Sequence, residues 1–392
     1  MQYSKVSKDF MSDTAEIYLD NSATTKVCPA AVKAVVEAMT QNYGNAASLH
    51  RKGYEAEQIL IQAKKIISSI LRCEQQELYF TSGATESNNL SLFGIAQAYR
   101  KKGNRIVISA IEHPSIMEAA KVLEQQGWEI VRVFPRQDRN FYVEDFVDVV
   151  NEKTILVSAM MVNNETGLIL PILEIAKAVK QKYPTVLFHT DAVQGFLKLP
   201  IKLKNSGIDL LSASAHKIYG PKGIGLLYLK KGVRLTPLFY GGGQQNHLRV
   251  GTDSTALIAG FAAAVKEYHD KAQMYIKHYQ QLNEYLNGLI EPISEITVHT
   301  SKQHVPYIVN LSIDRIRSEI MLHYLEQFGI FVSSGSACSK GVHSYVLGAL
   351  GLSDAQIDTA LRISFGTQTT CQDLEQLVKH LKGGISSLAK MK

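Results

Sequence analysis

Residues 155–190 decide the fold class. They hold a strand-like run, ILVSAM (Ile155–Met160), then a helical stretch, PILEIAKAVKQKY from Pro171, then a second strand-like run, VLFHT (Val186–Thr190). Proline is favoured at the first position of a helix, where its missing N–H would have had no partner. Strand, helix and strand in succession are the unit from which parallel sheets are built. We therefore expect an α/β fold with a mostly parallel sheet.

The same alternation extends on both sides of this unit, from Ile17 to about residue 255. The further strand-like runs are IYLD (Ile17–Asp20), RIVISA (Arg105–Ala110), IDLLSAS (Ile208–Ser214) and IGLLYL (Ile224–Leu229). This repetition predicts one large α/β domain over residues 17–255. The polar, aperiodic residues 1–16 before it predict a flexible tail.

A different pattern begins near Ser254, where a long helical segment runs towards Leu289 and predicts a connecting helix between domains. Beyond it, the strand-like YIVNLSI (Tyr307–Ile313) is followed by a helix that starts at Ser318 and stops at Gly329. A further helix is predicted at SDAQ (Ser353–Gln356), which fits a capping box. Residues 256–392 thus predict a second, smaller α/β domain.

The composition excludes several classes of protein. Of 392 residues, 45% are hydrophobic and 20% charged, which excludes a wholly disordered chain and a small disulfide-stapled one. The longest apolar run, Ala256–Val265, is too short for a bilayer, which needs about 20 residues. We expect no membrane segment, and no secretory signal because the N-terminus lacks an apolar core.

Charge and cysteine usage point to a cytoplasmic protein without a nucleic-acid surface. The net charge of +6 is a mild excess for this length, and no basic stripe is interleaved with aromatic residues. The four cysteines show neither CxxC pairing nor zinc spacing. This usage indicates a reducing compartment and no metal site, so that a cysteine would matter here for its reactivity.

A lysine and an aspartate lie at the ends of two predicted strands. Lys217 follows the apolar run that ends at Ser214, and Asp191 follows the run VLFHT, 26 residues earlier. Ligands of open α/β sheets bind outside the carboxyl ends of the strands. Pyridoxal phosphate needs a Schiff-base lysine and an acid facing its pyridinium nitrogen, and this pair fits both needs. A solvated lysine and a turn carboxylate remain the alternatives.

Three further motifs follow strand-like runs. In FTSGATESNN the segment Gly83–Thr85 opens a helix, where backbone N–H groups bind phosphate, or where Thr85 simply caps the helix. In MVNNETG, Asn163 and Asn164 either bond a phenolic oxygen or shape a turn. In EHPS, His113 either stacks on a ring or is structural.

Two residues of the C-terminal part are candidates for substrate chemistry. Cys338 lies among glycines and serines in FVSSGSACSKG, a context unlike that of a buried structural thiol, and Lys340 nearby would favour the thiolate. Arg362 lies in the apolar frame of LRISFGTQTT, either as a structural ion pair or as a bidentate clamp on a substrate carboxylate.

Taken together, these residues resemble the NifS/IscS-type cysteine desulfurases of the class V aminotransferase family. The motifs occur in the family's order over nearly the whole chain from Ile17 on. They are YLDNSATT, YGNAASLH, GATESNN, EHPS, NNETG, HTDAVQ, SASAHKIYGPKG, GGGQQNHLRVGT, SSGSAC and RISFG. The resemblance implies a pyridoxal-phosphate-dependent homodimer of the aspartate-aminotransferase fold. Its small domain is formed by the C-terminal part together with the N-terminal segment.

The resemblance also implies residue roles. Lys217 matches the Schiff-base lysine and Cys338 the cysteine that accepts sulfur as a persulfide. Arg362 matches the arginine that binds the substrate carboxylate. The cofactor residues implied are Ala84, Thr85, Ser214 and His216 at the phosphate, with Thr252 from the other subunit; His113 stacked on the ring; Asp191 at the ring nitrogen; and Asn164 and Gln194 near the phenolic oxygen, Asn164 also facing the substrate.

The activity implied is conversion of L-cysteine to L-alanine, with the sulfur passed to a tRNA-thiolation enzyme or an iron–sulfur scaffold. Only five residues separate Cys338 from Ser344, fewer than in many housekeeping members of the family, and Ala46 replaces a common proline. A shorter loop has a shorter reach, about 3.3–3.6 Å per residue, which favours a dedicated acceptor such as a tRNA-thiolation enzyme. The alternatives are a selenocysteine or cystine lyase of the same fold, and a pyridoxal-phosphate-binding sulfur relay without turnover.

Overall fold

A computed structural model describes residues 16–301, 303–334 and 343–388. Cys338, and the predicted tail apart from Glu16, lie outside the described residues. Within these ranges no helix has the length and apolar character needed to cross a membrane. The same residues contain no cluster of three or more His, Cys, Asp or Glu side chains suited to a metal ion.

The described residues form strands and helices that alternate over most of the chain. The strands are β1 (Ile17–Tyr18), β2 (Leu78–Thr81), β3 (Arg105–Ser109), β4 (Glu129–Val133), β5 (Thr154–Ser158), β6 (Leu187–Asp191), β7 (Leu210–Ser214), β8 (Gly225–Leu229), β9 (Ile296–Val298), β10 (Ile308–Ile313), β11 (Ile330–Phe331), β12 (Ser333–Ser334) and β13 (Ala360–Ser364). The helices are α1 (Pro29–Thr40), α2 (Arg51–Leu71), α3 (Ala84–Tyr99), α4 (Pro114–Gln125), α5 (Val143–Val147), α6 (Ile172–Lys182), α7 (Thr255–Ile290), α8 (Ser318–Glu326), α9 (Tyr345–Ala349), α10 (Asp354–Asp358) and α11 (Cys371–Ser387).

The large sheet has seven strands in the order β2-β8-β7-β6-β5-β3-β4. The pairs from β7 to β4 are all parallel, and β8 runs antiparallel to both of its neighbours. Strands β5 to β8 are buried along their whole length, as is typical of a sheet covered on both faces. The prediction of an α/β fold with a mostly parallel sheet is therefore confirmed.

The helix between β5 and β6 shows why the sequence folds in this way. Its buried residues are Ile172, Ile175, Ala176 and Val179, a spacing that places them on one face of a helix. Pro171 directly precedes the helix, and two lysines in its last turn complement the negative end of the helix dipole. The helix predicted for this segment is present, and it begins at Ile172, one residue after the predicted Pro171.

The C-terminal part contains a four-stranded antiparallel sheet in the order β12-β13-β10-β9. The long helix α7 precedes it, and α8 ends at Glu326, three residues before the predicted Gly329, which has a left-handed φ of 71°. The capping box predicted at Ser353 is present at the start of α10. The division into domains at residue 255 stays a prediction.

The N-terminal segment forms a separate two-stranded sheet with β11 and then bonds to the end of β13. β1 pairs in parallel with β11, and Leu19 exchanges backbone hydrogen bonds with Phe331 and Ser364. The chain then crosses to the large sheet, where the N–H of Thr25 donates to the carbonyl of His216 at 2.9 Å. Residues 19–25 therefore form a strap, as we call this segment below, between the two sheets.

Gly225 marks a close approach between β8 and the start of α3. A Cβ atom at this position would lie 2.6 Å from the Cα and carbonyl carbon of Gly83 and 2.8 Å from the carbonyl oxygen of Ala213. Both neighbours are backbone and cannot turn away. Only glycine therefore lets the N-terminus of α3 lie against the sheet at this point.

We predict that Gly225→Ala lowers the free energy of unfolding by about 1–3 kcal/mol, the usual cost of overpacking a tight interior. The matched control is Gly288→Ala in α7, where a Cβ would meet nothing within 4 Å. There alanine should be neutral or stabilising by up to about 1 kcal/mol, because it favours the helix. Urea unfolding of both variants checks this, and equal effects would contradict the role of Gly225.

Candidate active site

Five segments converge at the carboxyl ends of the parallel strands. His113 follows β3, Asn164 follows β5, Asp191 ends β6, and Lys217 follows β7. β2 runs in the same direction as β7, because both are antiparallel to β8. The helix that begins at Ala84 therefore starts at this same edge of the sheet. The structure thus brings together most of the residues singled out from the sequence.

The carboxylate of Asp191 is buried, with 4% of the residue exposed. Its Oδ2 accepts a hydrogen bond from Nδ2 of Asn88 at 2.7 Å, and its Oδ1 accepts the N–H of Val193 at 3.0 Å. A buried charge is costly unless hydrogen-bonded, and these two donors meet that need. The carboxylate is therefore held in place at the end of β6, facing the other site residues.

His113 is tied to the same network. It precedes α4 as its N-cap, and its Nδ1 accepts the backbone N–H of Ser115 at 3.1 Å. Oγ of Ser115 lies 2.9 Å from that nitrogen and accepts a hydrogen bond from Asn88 at 2.8 Å. Burial lowers the pKa of His113, Asp191 opposes this effect, and Lys217 adds to it. The ring is thus fixed in orientation and favours its neutral form.

The amino group of Lys217 contacts the strap. Its Nζ donates to the carbonyls of Ser22 and Ala23, at 2.5 and 2.8 Å. Gln194, from the loop after β6, donates its Nε2 to the same Ser22 carbonyl at 2.9 Å. Two predicted site residues from different strands therefore meet at one backbone oxygen of the strap.

The residues expected at a phosphate lie around the start of α3 and the end of β7. Thr85 is exposed in the first turn of α3, whose leading N–H groups have no partner within the helix. Ser214 is buried at the end of β7, and Nδ1 of His216 lies 3.2 Å from Oγ1 of Thr24. Burial, reinforced by nearby lysines, lowers the pKa of His216 to about 4, so that its ring is neutral near pH 7.

The two asparagines of the NNETG motif have different surroundings. Oδ1 of Asn163 accepts the N–H groups of Glu165 and Thr166, so Asn163 shapes the turn. Oδ1 of Asn164 is buried and has no hydrogen-bond partner among the described residues, and the same holds for Oε1 of Gln194. These two amide oxygens are accordingly open to a ligand.

Arg362 enters the site from β13, in the second sheet. Its Nη2 donates to Oδ1 of Asp20 at 2.7 Å, and its Nη1 donates to the carbonyl of Asn164 at 3.0 Å. Its Nε is buried and is not bonded to any described residue. The Nε–H group and the second N–H of Nη2 remain as donors, and a substrate carboxylate can accept a hydrogen bond from each of them. The sequence left two roles open for Arg362, a structural ion pair and a bidentate contact with a substrate carboxylate. The geometry accommodates both.

Two of the residues expected at the site do not join this cluster in the described structure. Thr252 is exposed in the loop before α7, near Arg249, which forms an ion pair with Glu86 at 2.9 Å. Cys338 lies outside the described residues, between Ser334 and His343. The role expected for each therefore stays a prediction.

Sequence reasoning missed several residues of the network. Asn88 lies one helical turn after Ala84 in the quoted motif, and that spacing could have placed it on the same face. Ser22 contributes only its carbonyl oxygen, which no side-chain pattern reveals. Glu112 is fully buried beside His113, where its Oε1 accepts hydrogen bonds from Ser109 and from the N–H of Met160, at 2.6 and 2.7 Å.

This donor set fits pyridoxal phosphate. A buried carboxylate, a lysine amine and a fixed neutral imidazole lie at the sheet edge where α3 begins, and the N-terminus of a helix suits a phosphate. The buried amide oxygens of Asn164 and Gln194, together with Nε of Arg362, have no partner among residues 16–301, 303–334 and 343–388. Unsatisfied buried polar atoms of this kind mark a place where a ligand supplies the missing bonds.

The comparisons with known proteins agree with this geometry. The family described as Aminotransferase class-V matches residues 17–377. The Cysteine desulfurase IscS of Rickettsia massiliae (strain Mtu5) is 37% identical over 385 residues, covering 96% of this chain and 93% of that protein. A solved structure titled NIFS-LIKE PROTEIN superposes with a TM-score of 0.91 at 32% identity, over 95% of this chain and 100% of that one. Another, titled SspA in complex with cysteine, has a TM-score of 0.80 at 29% identity, over 91% and 100% of the two chains.

Glu112 generates a prediction about stability and pH. Burial, with a further contribution from Asp191, raises the pKa of Glu112 to about 8. The folded protein thus keeps a proton that the unfolded chain releases above pH 4.5. The contribution of this proton to the free energy of unfolding is therefore lost as pH rises towards 8. Glu112→Gln keeps the acceptor oxygen and removes the titration. We expect its unfolding free energy, relative to wild type, to increase by at least about 1.4 kcal/mol from pH 5 to pH 8, the equivalent of one pKa unit.

Urea unfolding of both proteins at several pH values gives this difference. Glu124→Gln is the control, since Glu124 is a surface partner of Arg132. A difference between Glu112→Gln and wild type that is independent of pH would contradict the prediction.

Proposed function

The chain belongs to the class-V aminotransferases and, within them, to the pyridoxal-phosphate-dependent cysteine desulfurases; on that premise we propose which of its residues take the sulfur from L-cysteine. Support comes chiefly from two observations: Lys217 and Arg362 both bond to the strap, and Lys217 and Asp191 both act on the pKa of His113. An amine, an acid and a guanidinium are the groups needed to move a proton, stabilise a ring cation and hold an amino acid.

Pyridoxal phosphate, when bound, supplies an aldehyde that takes up the substrate amino group and a ring that withdraws electrons from Cα. Around it, Lys217 removes the proton from Cα and returns a proton during the reaction. Asp191 would hold the proton on the ring nitrogen, and its bonds to Asn88 and Val193 keep the carboxylate oriented. His113 would stack on the ring, in the orientation that Ser115 imposes.

Arg362 binds the substrate carboxylate. The guanidinium is held by Asp20 and by the Asn164 carbonyl, so that it is already oriented when the substrate arrives. Its buried Nε and the remaining Nη2 hydrogen then form the fork. A charge-assisted bidentate contact of this kind contributes roughly 1.5–3 kcal/mol. The site thus selects an amino acid by both its amino group and its carboxylate.

Cys338 receives the sulfur. Its thiolate attacks the substrate sulfur, an S–S bond forms, and the Cβ–S bond breaks with its electron pair left on carbon. Protonation of that carbon yields L-alanine, and Cys338 carries the persulfide, so that atoms and electrons balance without an added oxidant. Burial raises the pKa of the Cys73 thiol to about 12 and also raises that of Cys28, which disfavours both as nucleophiles.

We propose that the enzyme acts as a homodimer. Large apolar side chains are exposed along α1, α2 and the segment between them: Val32, Val36, Met39, Tyr43, Leu49, Tyr54 and Ile61. Exposed apolar side chains that form a continuous surface mark a subunit interface. Thr252, exposed beside Gly251, then reaches the phosphate site of the partner subunit.

The sulfur acceptor is a protein that docks closely. The five-residue return from Cys338 to Ser344 limits the reach of the persulfide, which favours a dedicated acceptor such as a tRNA-thiolation enzyme over a broad iron–sulfur scaffold. We place the reaction in the cytoplasm. Cys28, Cys73 and Cys371 are free thiols, as a reducing compartment would keep them.

The activity is tested by incubating the holoenzyme with L-cysteine and measuring L-alanine, with mass spectrometry of the protein. We expect one added sulfur on Cys338 and none on Cys28, Cys73 or Cys371. Lys217→Ala should form no alanine, because the proton shuttle is lost. Cys338→Ser should keep the bound-cofactor absorbance but form no persulfide. Undiminished desulfuration by Cys338→Ser would instead favour a lyase that releases its product directly.

Site sharing is tested by mixing two inactive variants, Lys217→Ala and Thr252→Ala. Subunit exchange should produce some dimers with one intact site, because each subunit supplies what the other lacks. We expect up to about a quarter of wild-type activity, since half of the dimers are mixed and each has one working site. Exchange is verified with a mass-tagged subunit. No recovered activity after verified exchange would contradict the shared site.

A further inference from the structure

Glu165 lies between the arginine proposed for substrate and the start of α9. It follows Asn164, whose carbonyl accepts a hydrogen bond from Nη1 of Arg362 at 3.0 Å. Its carboxylate oxygen Oε2 accepts the hydroxyl of Ser344 at 2.5 Å. Oγ of Ser344 in turn accepts the N–H of Leu347 at 3.1 Å and so caps α9. One side chain thereby connects the two neighbourhoods.

Among the described residues, Arg362 from β13 is the charged group that acts on this carboxyl, and Ser344 at the start of α9 is its hydrogen-bond donor. Asp20 from the strap is paired with Nη2 of the same guanidinium. From β10, Nδ2 of Asn310 donates to the backbone carbonyl of Glu165 at 3.3 Å, which fixes the turn and not the carboxyl. The ionisation of Glu165 therefore depends on how much of the Arg362 charge it experiences.

The buried position makes that dependence relevant near neutral pH. Burial raises the pKa of Glu165 to about 7, while the Ser344 hydrogen bond and the charge of Arg362 oppose the rise. A carboxylate bound at Arg362 would neutralise the guanidinium and add a second negative charge nearby. Both changes favour the protonated form of Glu165.

We propose that Glu165 is a positioning residue that links occupation of Arg362 by a substrate carboxylate to proton uptake and to the cap of α9. The inference rests on the proposed role of Arg362. The negative charge of ionised Glu165 disfavours a substrate carboxylate at the nearby guanidinium, and protonated Glu165 does not. The substrate therefore binds better at low pH, and each binding event draws a fraction of a proton from solution.

The link extends along the sequence, because Ser344 is the sixth residue after Cys338. A protonated carboxyl and an ionised one differ as acceptors for the Ser344 hydroxyl, since bonds to charged acceptors are the stronger ones. The state of the carboxylate subsite thereby changes the hydrogen bond that caps α9, and we expect the rate of persulfide formation on Cys338 to respond.

The test compares wild type with Glu165→Gln, which keeps an acceptor oxygen for Ser344 and removes the titration. Binding of the product L-alanine to the holoenzyme is measured by calorimetry at pH 6, 7 and 8, in buffers of different ionisation enthalpy. If binding raises the Glu165 pKa by one unit from 7, wild type takes up about 0.4 more protons than the variant at pH 7. Its Kd should also rise about fivefold more from pH 6 to pH 8 than that of the variant.

Arg362→Lys separates this inference from the proposed function. If the Kd for L-alanine is unmoved in Arg362→Lys, Arg362 does not bind the carboxylate and both ideas fail. If that Kd rises but wild type and Glu165→Gln share one pH profile and one proton uptake, only the link through Glu165 is overturned.

The role of the α9 cap is tested with Ser344→Ala. Its matched control is Ser353→Ala, because Ser353 caps α10 by the same kind of bond. Each substitution removes one N-cap, so both variants should lose helix stability to a similar degree. Only Ser344→Ala should change the rate of persulfide formation relative to L-alanine affinity and shift the pH profile of binding. Equal effects of the two variants would overturn the coupling to α9.

Discussion

The carboxylate of Asp191 imposes a constraint that organises the site around it. A buried charge needs hydrogen-bond donors, and Asn88 supplies one from the first turns of α3. The second N–H of that amide is then available to Ser115, which orients His113. Helices α3 and α4 are thereby tied to the carboxylate at the end of β6. The orientation of the His113 imidazole and the position of α3 both follow from the need to hydrogen-bond this one buried carboxylate.

The second sheet contributes to the site through the strap and through Arg362. The ion pair of Arg362 with Asp20 and its bond to the Asn164 carbonyl join three separate segments of the chain. We propose that this arrangement pre-orients the guanidinium, so that little conformational entropy is lost on substrate binding. Glu165, on the same turn, adds a charge that responds to occupancy. The affinity of the site for an amino acid and the protonation of Glu165 would then depend on each other.

Much of the fold could be predicted from the sequence because the large sheet is built from continuous apolar runs. The runs predicted at Arg105, Ile155 and Ile208 all form strands, with ends shifted by one or two residues. The clustering of Lys217 and Asp191 followed from the rule that ligands bind at strand ends. The reversed direction of β8 and the pairing of β1 with β11 have no local signal, because they depend on contacts between distant residues.

The residues singled out from the sequence contribute side chains, whereas the strap contributes several backbone groups that no side-chain pattern reveals. Ser22 acts through its carbonyl oxygen, and backbone groups of Leu19, Asn21 and Thr25 bond to Ser364 and His216. Side chains of the strap add to these bonds, because Asp20 pairs with Arg362 and Asn21 donates to the Ser364 carbonyl at 3.0 Å. A single inserted or deleted residue would shift the register by about 3.3 Å and move these groups away from their partners together. The length of the segment between Asp20 and Thr25 therefore constrains the site as much as its composition does.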